Sequence, residues 1–359
     1  MQIQNTQSPN NSDSPQRSIV NKFSSKKWYN IFLAFLSLLL IINIFIFSLT
    51  EEEENQKYRD DFKNNVVAYA IDLPDTVDFA GETLPLDYFD VREYFDREMM
   101  VNIYFQSQTL LYFKRANRFF PVIEPILKKN GIPDDFKYLA VAESGLANAT
   151  SSAGARGYWQ FMKETAKQFK LEVSDEVDER YHLEKSTEAA CRYFKSSYNN
   201  LKNWTLVAAS YNMGTVGVNR QINKQHINNY ADLFLNEETA RYAFRIVAIK
   251  TIMQNPDTYG YRFRKKDLYE PIPFNEITID SSIADLTEFA FKYSTSYKLI
   301  KILNPWLREG KLTNKERKAY TIKIPYPQFR KFDMTKIIGI NPIMDSVGVI
   351  SSPVIQTKE

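Results

Sequence analysis

The pattern of hydrophobic and polar positions predicts a mainly helical chain with a small mixed unit near its end. Between about residues 101 and 256, apolar residues recur at helical spacing and strand-like alternation is scarce. The predicted helices are TLLYFKRANRFF, a second that starts at Pro121 and ends at Lys128–Gly131, then DDFKYLAVAES, KETAKQFKL, STEAACRYFKSSYNNL, WTLVAASYNMG and EETARYAFRIVAIKTIM. Beyond Pro271, EITID and YTIKIP alternate as strands around the helical patterns DLTEFAFKY and SYKLIKILN, which predicts a β-α-α-β unit at residues 273–326.

One segment near the start is apolar enough to cross a membrane. Residues 31–49, IFLAFLSLLLIINIFIFSL, carry no charge, and a spanning helix needs about 20 such residues. Basic residues precede the segment and Glu51–Glu54 follow it, which predicts that the rest of the chain lies outside the inner membrane, in the periplasm. A cleaved signal peptide is the alternative, although no small-residue cleavage site precedes the glutamates. We expect a single-pass transmembrane anchor at residues 28–50.

The segments around the helical region differ from it in composition. Residues 1–27 are rich in Gln, Asn and Ser, and we expect a disordered cytoplasmic tail there. Residues 51–100 are acidic, contain Pro74 and Pro85, and are predicted to be a linker that leads into the helices. These differences predict one large domain at 101–260, the small unit at 273–326 and a tail at 327–359.

Composition and charge argue against several kinds of function. With 46 basic and 43 acidic residues, the net charge of +3 is too small to indicate a nucleic-acid partner. A single cysteine, Cys191, forms no intrachain disulfide, and with two distant histidines it offers no His/Cys zinc site. We therefore expect no metal and no cofactor. Cys191 lies in AACRYF, where small and aromatic residues alternate at helical spacing, so we expect it in the core.

One carboxylate stands where the helical pattern calls for an apolar residue. Glu143 falls on the same stripe as three apolar residues, Phe136, Leu139 and Ala140. Partial burial would raise the pKa of Glu143, and a carboxyl that stays protonated near neutral pH can donate a proton to a glycosidic oxygen. Gly145 ends the helix and leaves Glu143 open to a cleft. On spacing alone, a solvated glutamate is an equal alternative.

Residues suited to binding a carbohydrate follow along the chain. SSAGARGYWQF is a glycine-containing turn that enters another helix, and Gln160 within it offers a donor and an acceptor for an N-acetyl group. Trp159 could stack on a sugar ring, but we expect it in the core. ASYNMG places Tyr211 and Asn212 at a helix end, where a helix cap is the alternative to a binding role.

Five blocks between about residues 121 and 253 carry a resemblance to a known family. They are PILKKNGIPDDFKYLAVAESGL, SSAGARGYWQFMKETAKQF, VDERYHLEKSTEAACRYF, LVAASYNMG and ETARYAF. In this order and spacing they resemble the lytic transglycosylases with a goose-lysozyme-like helical domain, of the membrane-bound lytic murein transglycosylase D group. The resemblance implies cleavage of peptidoglycan, in the periplasm of a bacterium, between N-acetylmuramic acid and N-acetylglucosamine. In that family one glutamate acts as acid and then as base, and the products carry 1,6-anhydro ends.

The resemblance also implies a role for individual residues. Glu143 matches the single catalytic acid of the family. The positions that match substrate-binding residues are Ser144, Ser151, Gln160, Met162, Tyr211, Asn212 and Tyr242. Ser144 is also expected to support the local turn. The sequence departs from the family at Gly145–Asn148 and at Ser210, neither of which is a catalytic position.

A second carboxylate, which most glycosidases need, is not embedded in a comparable motif. Asp178, Glu179 and Arg180 in VDERY are charged together and are expected to form a structural ion-pair cluster. The resemblance explains the missing carboxylate, because anhydro-ring closure needs no activated water. A hydrolytic muramidase on the same fold and a non-catalytic peptidoglycan-binding scaffold are the alternatives.

The small unit at 273–326 resembles a degenerate LysM module, a family that binds glycans containing N-acetylglucosamine. The matching positions are Ile283–Ala284, Tyr293, Leu299, Asn304 and Ile324–Pro325. Asp280–Ser282 replace the usual Gly-Asp of the first turn. A packing role without glycan binding is therefore an alternative for this unit.

Overall fold

The computed structural model describes residues 23–64 and 69–326, and the chain divides into two units after Tyr69. The first unit contributes α1 (Phe23–Asn64). The helices of the second unit are α2 (Phe89–Tyr104), α3 (Gln106–Lys129), α4 (Phe136–Ser144), α5 (Lys163–Gln168), α6 (Leu183–Leu201), α7 (Trp204–Met213), α8 (Thr215–Gln225), α9 (Glu237–Gln254), α10 (Leu286–Lys292) and α11 (Tyr297–Leu303). Its strands are β1 (Val77–Phe79), β2 (Glu82–Leu84), β3 (Phe274–Ile279) and β4 (Tyr320–Pro325).

The predicted membrane span at 31–49 falls within α1. The side chains of residues 28–43 are exposed, whereas those of 44–49 lie outside the described residues. Within the described part of the chain, none of the helices combines the length and the apolar character that crossing a bilayer takes. The anchor at 28–50 therefore stays a prediction. Residues 1–22 and 327–359, which make up most of the two predicted tails, also lie outside the described residues.

Helix α9 is the central element of the helical part of the second unit. It packs against α2, α4 and α7, and its buried residues lie on every side of the helix. From Tyr242 to Ile252 every residue except Arg245 is buried, as expected for a helix surrounded by other elements. Asn236 caps its start, since Asn236 Oδ1 accepts a hydrogen bond of 3.0 Å from Thr239 N. The fixed start of α9 sets the direction in which Tyr242 and Arg245 point.

Part of the segment predicted as a linker belongs to the folded unit. Strands β1 and β2 pair antiparallel, with Val77 opposite Leu84, and α2 follows them. Phe79 and Phe95, from the hairpin and from α2, are fully buried in the main core. The sequence did not predict these elements because the segment is acidic and only one face of α2 is apolar. Strands of three residues are also too short to show a clear alternation.

Helix α3 runs through the point where a break was predicted. The prediction began a new helix at Pro121, but one helix extends from Gln106 to Lys129 with Pro121 and Pro125 inside it. A proline removes one backbone hydrogen bond of the helix. Burial of the apolar stripe that includes Ile123 and Leu127 keeps the helix continuous, since both side chains are fully buried. The predicted end at Lys128–Gly131 is confirmed.

The β-α-α-β unit predicted after Pro271 is confirmed. Strands β3 and β4 pair antiparallel from Phe274 opposite Pro325 to Ile279 opposite Tyr320, and α10 and α11 lie between them in the chain. The unit has a core of its own, to which Val177 and Tyr181 of the helical part also belong. The second unit is thus a helical core with a small two-stranded sheet at its C-terminal side.

Candidate active site

Helix α4 places Glu143 at the edge of the helical core. Phe136, Leu139 and Ala140 on the same helical stripe are fully buried, whereas Glu143 in the last turn is half-buried. Gly145 ends the helix in the left-handed conformation, with φ of 59°. This backbone conformation favours glycine, and a Cβ at this position would also come within 2.6 Å of Gln108 Nε2. The predicted helix end, with Glu143 next to it, is confirmed.

The Glu143 carboxyl is held by a tyrosine from the central helix. Tyr242 Oη donates a hydrogen bond to Glu143 Oε1, and the Tyr242 ring is almost fully buried. Burial raises the pKa of Glu143 to about 7, although the hydrogen bond from Tyr242 and the charge of Arg245 both lower it. The nearby charge of Glu238 raises it further. The group can therefore hold or release a proton at neutral pH.

Glu238 and Arg245 on α9 influence the pKa of Glu143, and neither was predicted. Glu238, Tyr242 and Arg245 are four and three residues apart, so they share one face of the helix. Arg245 Nε lies 3.3 Å from Glu98 Oε2 of α2, and Glu98 is almost fully buried. Arg241 Nη1 donates to the other oxygen of Glu98 at 2.8 Å. The spacing of Glu238, Tyr242 and Arg245 along α9 could have indicated that they share a face. The pairing of Arg245 with Glu98 could not be predicted, because Glu98 lies 147 positions away in the chain.

The loop after α4 is held by hydrogen bonds of its own. Ser144 Oγ donates to Tyr158 O at 2.7 Å, which ties the end of α4 to the loop and agrees with the turn-supporting role expected of it. Ser151 Oγ accepts from Ala155 N at 2.9 Å. Both hydroxyls are thus engaged within the protein, and each keeps an oxygen with free accepting capacity.

Gln160 presents an acceptor from the same loop. Its backbone is left-handed, with φ of 49°, and its Nε2 donates to Gly157 O at 2.7 Å and to Ala149 O at 3.2 Å. Among the described residues, Oε1 of Gln160 has no hydrogen-bond partner. Met162 follows on the surface with 47% of its area exposed. Trp159 is fully buried and donates to Thr187 Oγ1, so its predicted core position is confirmed.

Tyr211 and Asn212 lie in the last turn of α7 and connect it to the loop and to α9. Tyr211 Oη donates to Trp159 O at 2.7 Å. Burial raises the pKa of Tyr211 well above its usual value, and the neighbouring charge of Glu143 raises it further. Asn212 Nδ2 donates to Glu238 Oε1 at 3.1 Å, and Asn212 Oδ1 accepts from Thr239 Oγ1 at 2.7 Å. These contacts go beyond a helix cap, which was the alternative for ASYNMG.

The structure thus brings together some of the predicted residues by direct bonds and others only through the loop. Tyr242 contacts Glu143, and Tyr211 interacts with it electrostatically. Asn212 reaches the same region through Glu238. Within residues 23–64 and 69–326, no group of three or more His, Cys, Asp or Glu side chains is arranged to hold a metal ion. Cys191 is fully buried, as predicted.

Comparison with known proteins identifies the families that two regions of the chain resemble. Residues 120–234 match the family model of the transglycosylase SLT domain. The chain carries an SLT domain. Residues 275–328 match the model of the soluble lytic transglycosylase C-terminal LysM-like domain, so the small β-α-α-β unit is LysM-like. The predicted combination of a transglycosylase domain and a LysM-like unit is confirmed. Glu143 and the loop that follows it lie within the SLT domain.

Curated relatives match the chain over part of their length. The membrane-bound lytic murein transglycosylase D of Escherichia coli strain K12 is 27% identical over 183 residues, which are 49% of this chain and 40% of that protein. The same protein from Escherichia coli O6:H1 matches equally. The chain therefore spans less than half the length of these relatives. A solved structure of an inactive mutant of the lytic transglycosylase Slt from Pseudomonas aeruginosa is 17% identical, covers 42% of this chain and 26% of its own, and has a TM-score of 0.30.

Proposed function

We propose that the SLT domain is a lytic transglycosylase that cleaves peptidoglycan, with Glu143 as its catalytic acid and base. One observation carries the proposal. The carboxyl of Glu143 is half-buried, its pKa is raised to about 7, and Tyr242 donates a hydrogen bond to it. A group with a pKa near the working pH can give up a proton in one step and take one back in the next. The SLT match and the relatives named for acting on murein support the substrate class.

The proposed reaction uses Glu143 twice. Protonated Glu143 gives its proton to the glycosidic oxygen between N-acetylmuramic acid and N-acetylglucosamine, and the bond from that oxygen to C1 breaks. The ionised carboxylate then takes the proton of the C6 hydroxyl of the muramic acid, whose oxygen attacks C1 and closes the 1,6-anhydro ring. Tyr242 stabilises the carboxylate between the two steps, because its hydrogen bond favours the charged form. No water enters the products.

The other predicted residues would hold the glycan around Glu143. Gln160 offers Oε1 to an N-acetyl N–H, since its amide nitrogen is already bonded to the loop. Met162 would line the cleft with its exposed side chain. Ser144 and Ser151, whose hydroxyls are engaged within the protein, would bind substrate through their free acceptor positions.

Two predicted residues on α7 would act mainly by shaping the cleft. Tyr211 fixes the loop through Trp159 O, and its buried hydroxyl lies close enough to Glu143 for the charge of that carboxylate to raise the pKa of Tyr211. Asn212 holds the start of α9, which carries Tyr242, through Thr239. We assign both to substrate positioning in a goose-lysozyme-like cleft, within a catalytic domain at 101–260.

The proposed setting of the enzyme follows from the sequence. We propose a single-pass anchor at 28–50 in the inner membrane of a bacterium, with the SLT and LysM-like domains in the periplasm, where peptidoglycan lies. The basic residues before the apolar segment and the glutamates after it support this orientation. The relatives are named as membrane-bound, which agrees with an anchor.

The test is product analysis on purified sacculi with the wild type and Glu143→Gln. We expect the variant to lose about 10²–10⁴-fold in rate, the usual contribution of a general acid–base group. Mass spectrometry of the wild-type products should show anhydro ends, which are lighter than reducing ends by one water. Reducing ends would identify a hydrolytic muramidase instead, and full turnover by Glu143→Gln would refute the role of Glu143.

A matched control addresses the missing second carboxylate. Glu238 is an exposed carboxylate whose charge influences Glu143, so it is the group on this helix face that a hydrolytic mechanism could use to activate water. We expect Glu238→Gln to keep most of the activity. Loss of activity comparable to that of Glu143→Gln would favour a two-carboxylate hydrolase.

A further inference from the structure

The LysM-like domain pairs its backbone with one segment of the SLT domain, residues 176–182, which we call the bridging segment. Val177 and Leu307 form an antiparallel bridge, Asp178 N donates to Trp306 O at 2.9 Å, and Arg308 N donates to Glu176 O at 2.8 Å. The chain of the SLT domain therefore pairs with the backbone of the LysM-like domain. Such pairing fixes both position and register.

Side chains extend this contact. Val177 and Tyr181 are buried in the core of the LysM-like domain, and the Arg308 guanidinium lies 4.1 Å from the centre of the Tyr181 ring. Lys323 of β4 pairs with Glu184 of α6, where both side chains are largely shielded from solvent. Burial raises the pKa of Glu184, but the His182 imidazole 3.2 Å away and the charge of Lys323 lower it to about 2. Glu184 is therefore a charged partner at neutral pH.

The other side of the bridging segment holds the loop at residues 149–162, which we call the substrate loop. Arg180 is almost fully buried, and its Nε and Nη2 bond to Asp178 at 2.9 and 2.7 Å. Its Nη1 donates to Phe161 O at 3.2 Å and to Gly154 O at 3.3 Å. The Arg180 fork thus ties both ends of the turn that contains Gly157 to the bridging segment.

Two further contacts join the bridging segment to the substrate loop. The backbone oxygen of Arg180 lies so close to Gly157 that a Cβ there would come within 1.8 Å of it. The hydroxyls of Tyr181 and Thr150 are 2.8 Å apart. Tyr181 therefore has its ring in the core of the LysM-like domain and its hydroxyl on the substrate loop.

We propose that the LysM-like domain acts as a positioning element for the substrate loop, with Asp178, Arg180 and Tyr181 as the positioning residues. This inference rests on the proposed function, because Ser151, Gln160 and Met162 of the loop are the groups that would meet the glycan. Docking holds the bridging segment, and the bridging segment holds the loop in the geometry that binding and proton transfer need. The domain contributes to turnover whether or not it binds glycan itself.

The first test weakens the docking of the LysM-like domain with Lys323→Glu, which places a second carboxylate against Glu184. We expect faster hydrogen exchange at two sets of amides in the full chain. The docking amides are Asp178 N–H and Arg308 N–H, and the loop amides are Arg156 N–H and Gly157 N–H, which bond to Phe161 O and Ala149 O. Turnover on purified glycan strands should fall about 10-fold, less than the ~100-fold that a 1 Å misplacement produces.

Two variants control for charge and for general damage. The swap Glu184→Lys with Lys323→Glu should restore both exchange and turnover. Arg317→Glu makes the same charge change but breaks an exposed ion pair with Asp280 inside the LysM-like domain. Exposed pairs contribute little to stability, so this variant should keep wild-type exchange at both sets of amides and wild-type turnover.

The second test cuts the connection without undocking. Tyr181→Phe removes the hydroxyl bonded to Thr150 and keeps the ring in the LysM-like core, so the loop amides alone should exchange faster. Loop amides that keep wild-type exchange in Tyr181→Phe would overturn the proposal. Faster exchange at the docking amides of Lys323→Glu, with loop exchange and turnover unchanged, would overturn it as well. Exchange is read without substrate, so a wild type without lytic activity would refute the proposed function and leave the coupling measurable.

Discussion

Replacing Glu143 by glutamine should change how the stability of the fold depends on pH. The folded-state pKa of Glu143 is about 7, against an ordinary value of 4.5. A carboxyl whose pKa is raised by folding contributes stability that is present below pH 4.5 and is lost as the pH rises through 7. Glutamine keeps the volume and the acceptor for Tyr242 but never ionises. The variant therefore avoids the loss of folding stability that the wild type undergoes at high pH.

The magnitude follows from the difference between the two pKa values. A difference of 2.5 units, from 4.5 to 7, corresponds to ~3.4 kcal/mol of unfolding free energy at 1.36 kcal/mol per unit. For a domain of this size, ~3 kcal/mol moves the melting temperature by about 6–12 °C. We expect the melting temperature of Glu143→Gln, relative to that of the wild type, to be higher at pH 8 than at pH 4 by this amount. Any cost of burying the amide is present at both values of pH and cancels in this comparison.

The assay is thermal unfolding followed by circular dichroism at pH 4 and pH 8. Glu238→Gln, which removes an exposed carboxylate from the same helix face, is the control for net charge, and we expect it to change stability by less than about 0.5 kcal/mol at either pH. If Glu143→Gln differed from the wild type equally at pH 4 and pH 8, Glu143 would not be shielded from water and its pKa would not be raised by burial.

Three further perturbations test the surroundings of Glu143. Tyr242→Phe removes the hydrogen bond that lowers the pKa of Glu143, so the limb of the pH–rate profile that reports Glu143 should move up by about 1 to 2 pH units, at ~1.5–3 kcal/mol for such a bond. Arg245→Met removes a charge that lowers the pKa of Glu143, so it should move the same limb of the pH–rate profile to higher pH by a smaller amount. A shift to lower pH in either variant would contradict the assignment of this limb to Glu143. Gly157→Ala should cost about 3 kcal/mol or more in urea denaturation, because its Cβ would lie 1.8 Å from a backbone oxygen. Gly154→Ala is its control, since that Cβ would meet no atom within 4 Å, and equal losses for the two variants would refute the clash.

The helical elements could be predicted where an apolar stripe and an end signal agreed. Helices α6, α7 and α9 lie where periodicity placed them, and α4 ends at the predicted glycine. The prediction failed where local chemistry and tertiary packing disagree. Pro121 reads locally as a helix start, but burial of the stripe that continues to Leu127 keeps α3 in one piece. Helix α8 was not predicted, because Val218 is its only buried residue.

The site was predictable only in part, for a similar reason. Glu143 stood out because a carboxylate on an apolar stripe is visible in the sequence. Arg245 and Glu98 were missed, since neither lies in a motif and their pairing depends on how α2 packs on α9. The role of residues 176–182 was also hidden. The charges of VDERY predicted an ion-pair cluster, which Asp178 and Arg180 form, but not the LysM-like domain on its other side.

The sequence by itself determined the helices α6, α7 and α9, where α4 ends, and which carboxylate faces the apolar side of its helix. These properties depend on neighbours within a few positions, where periodicity and turn chemistry act. The tertiary structure alone decided the protonation of Glu143, because its burial, its bond to Tyr242 and the charge of Arg245 come from residues about 100 positions away. It also decided that the LysM-like domain pairs with residues 176–182 of the SLT domain, since backbone pairing between distant segments leaves no local pattern.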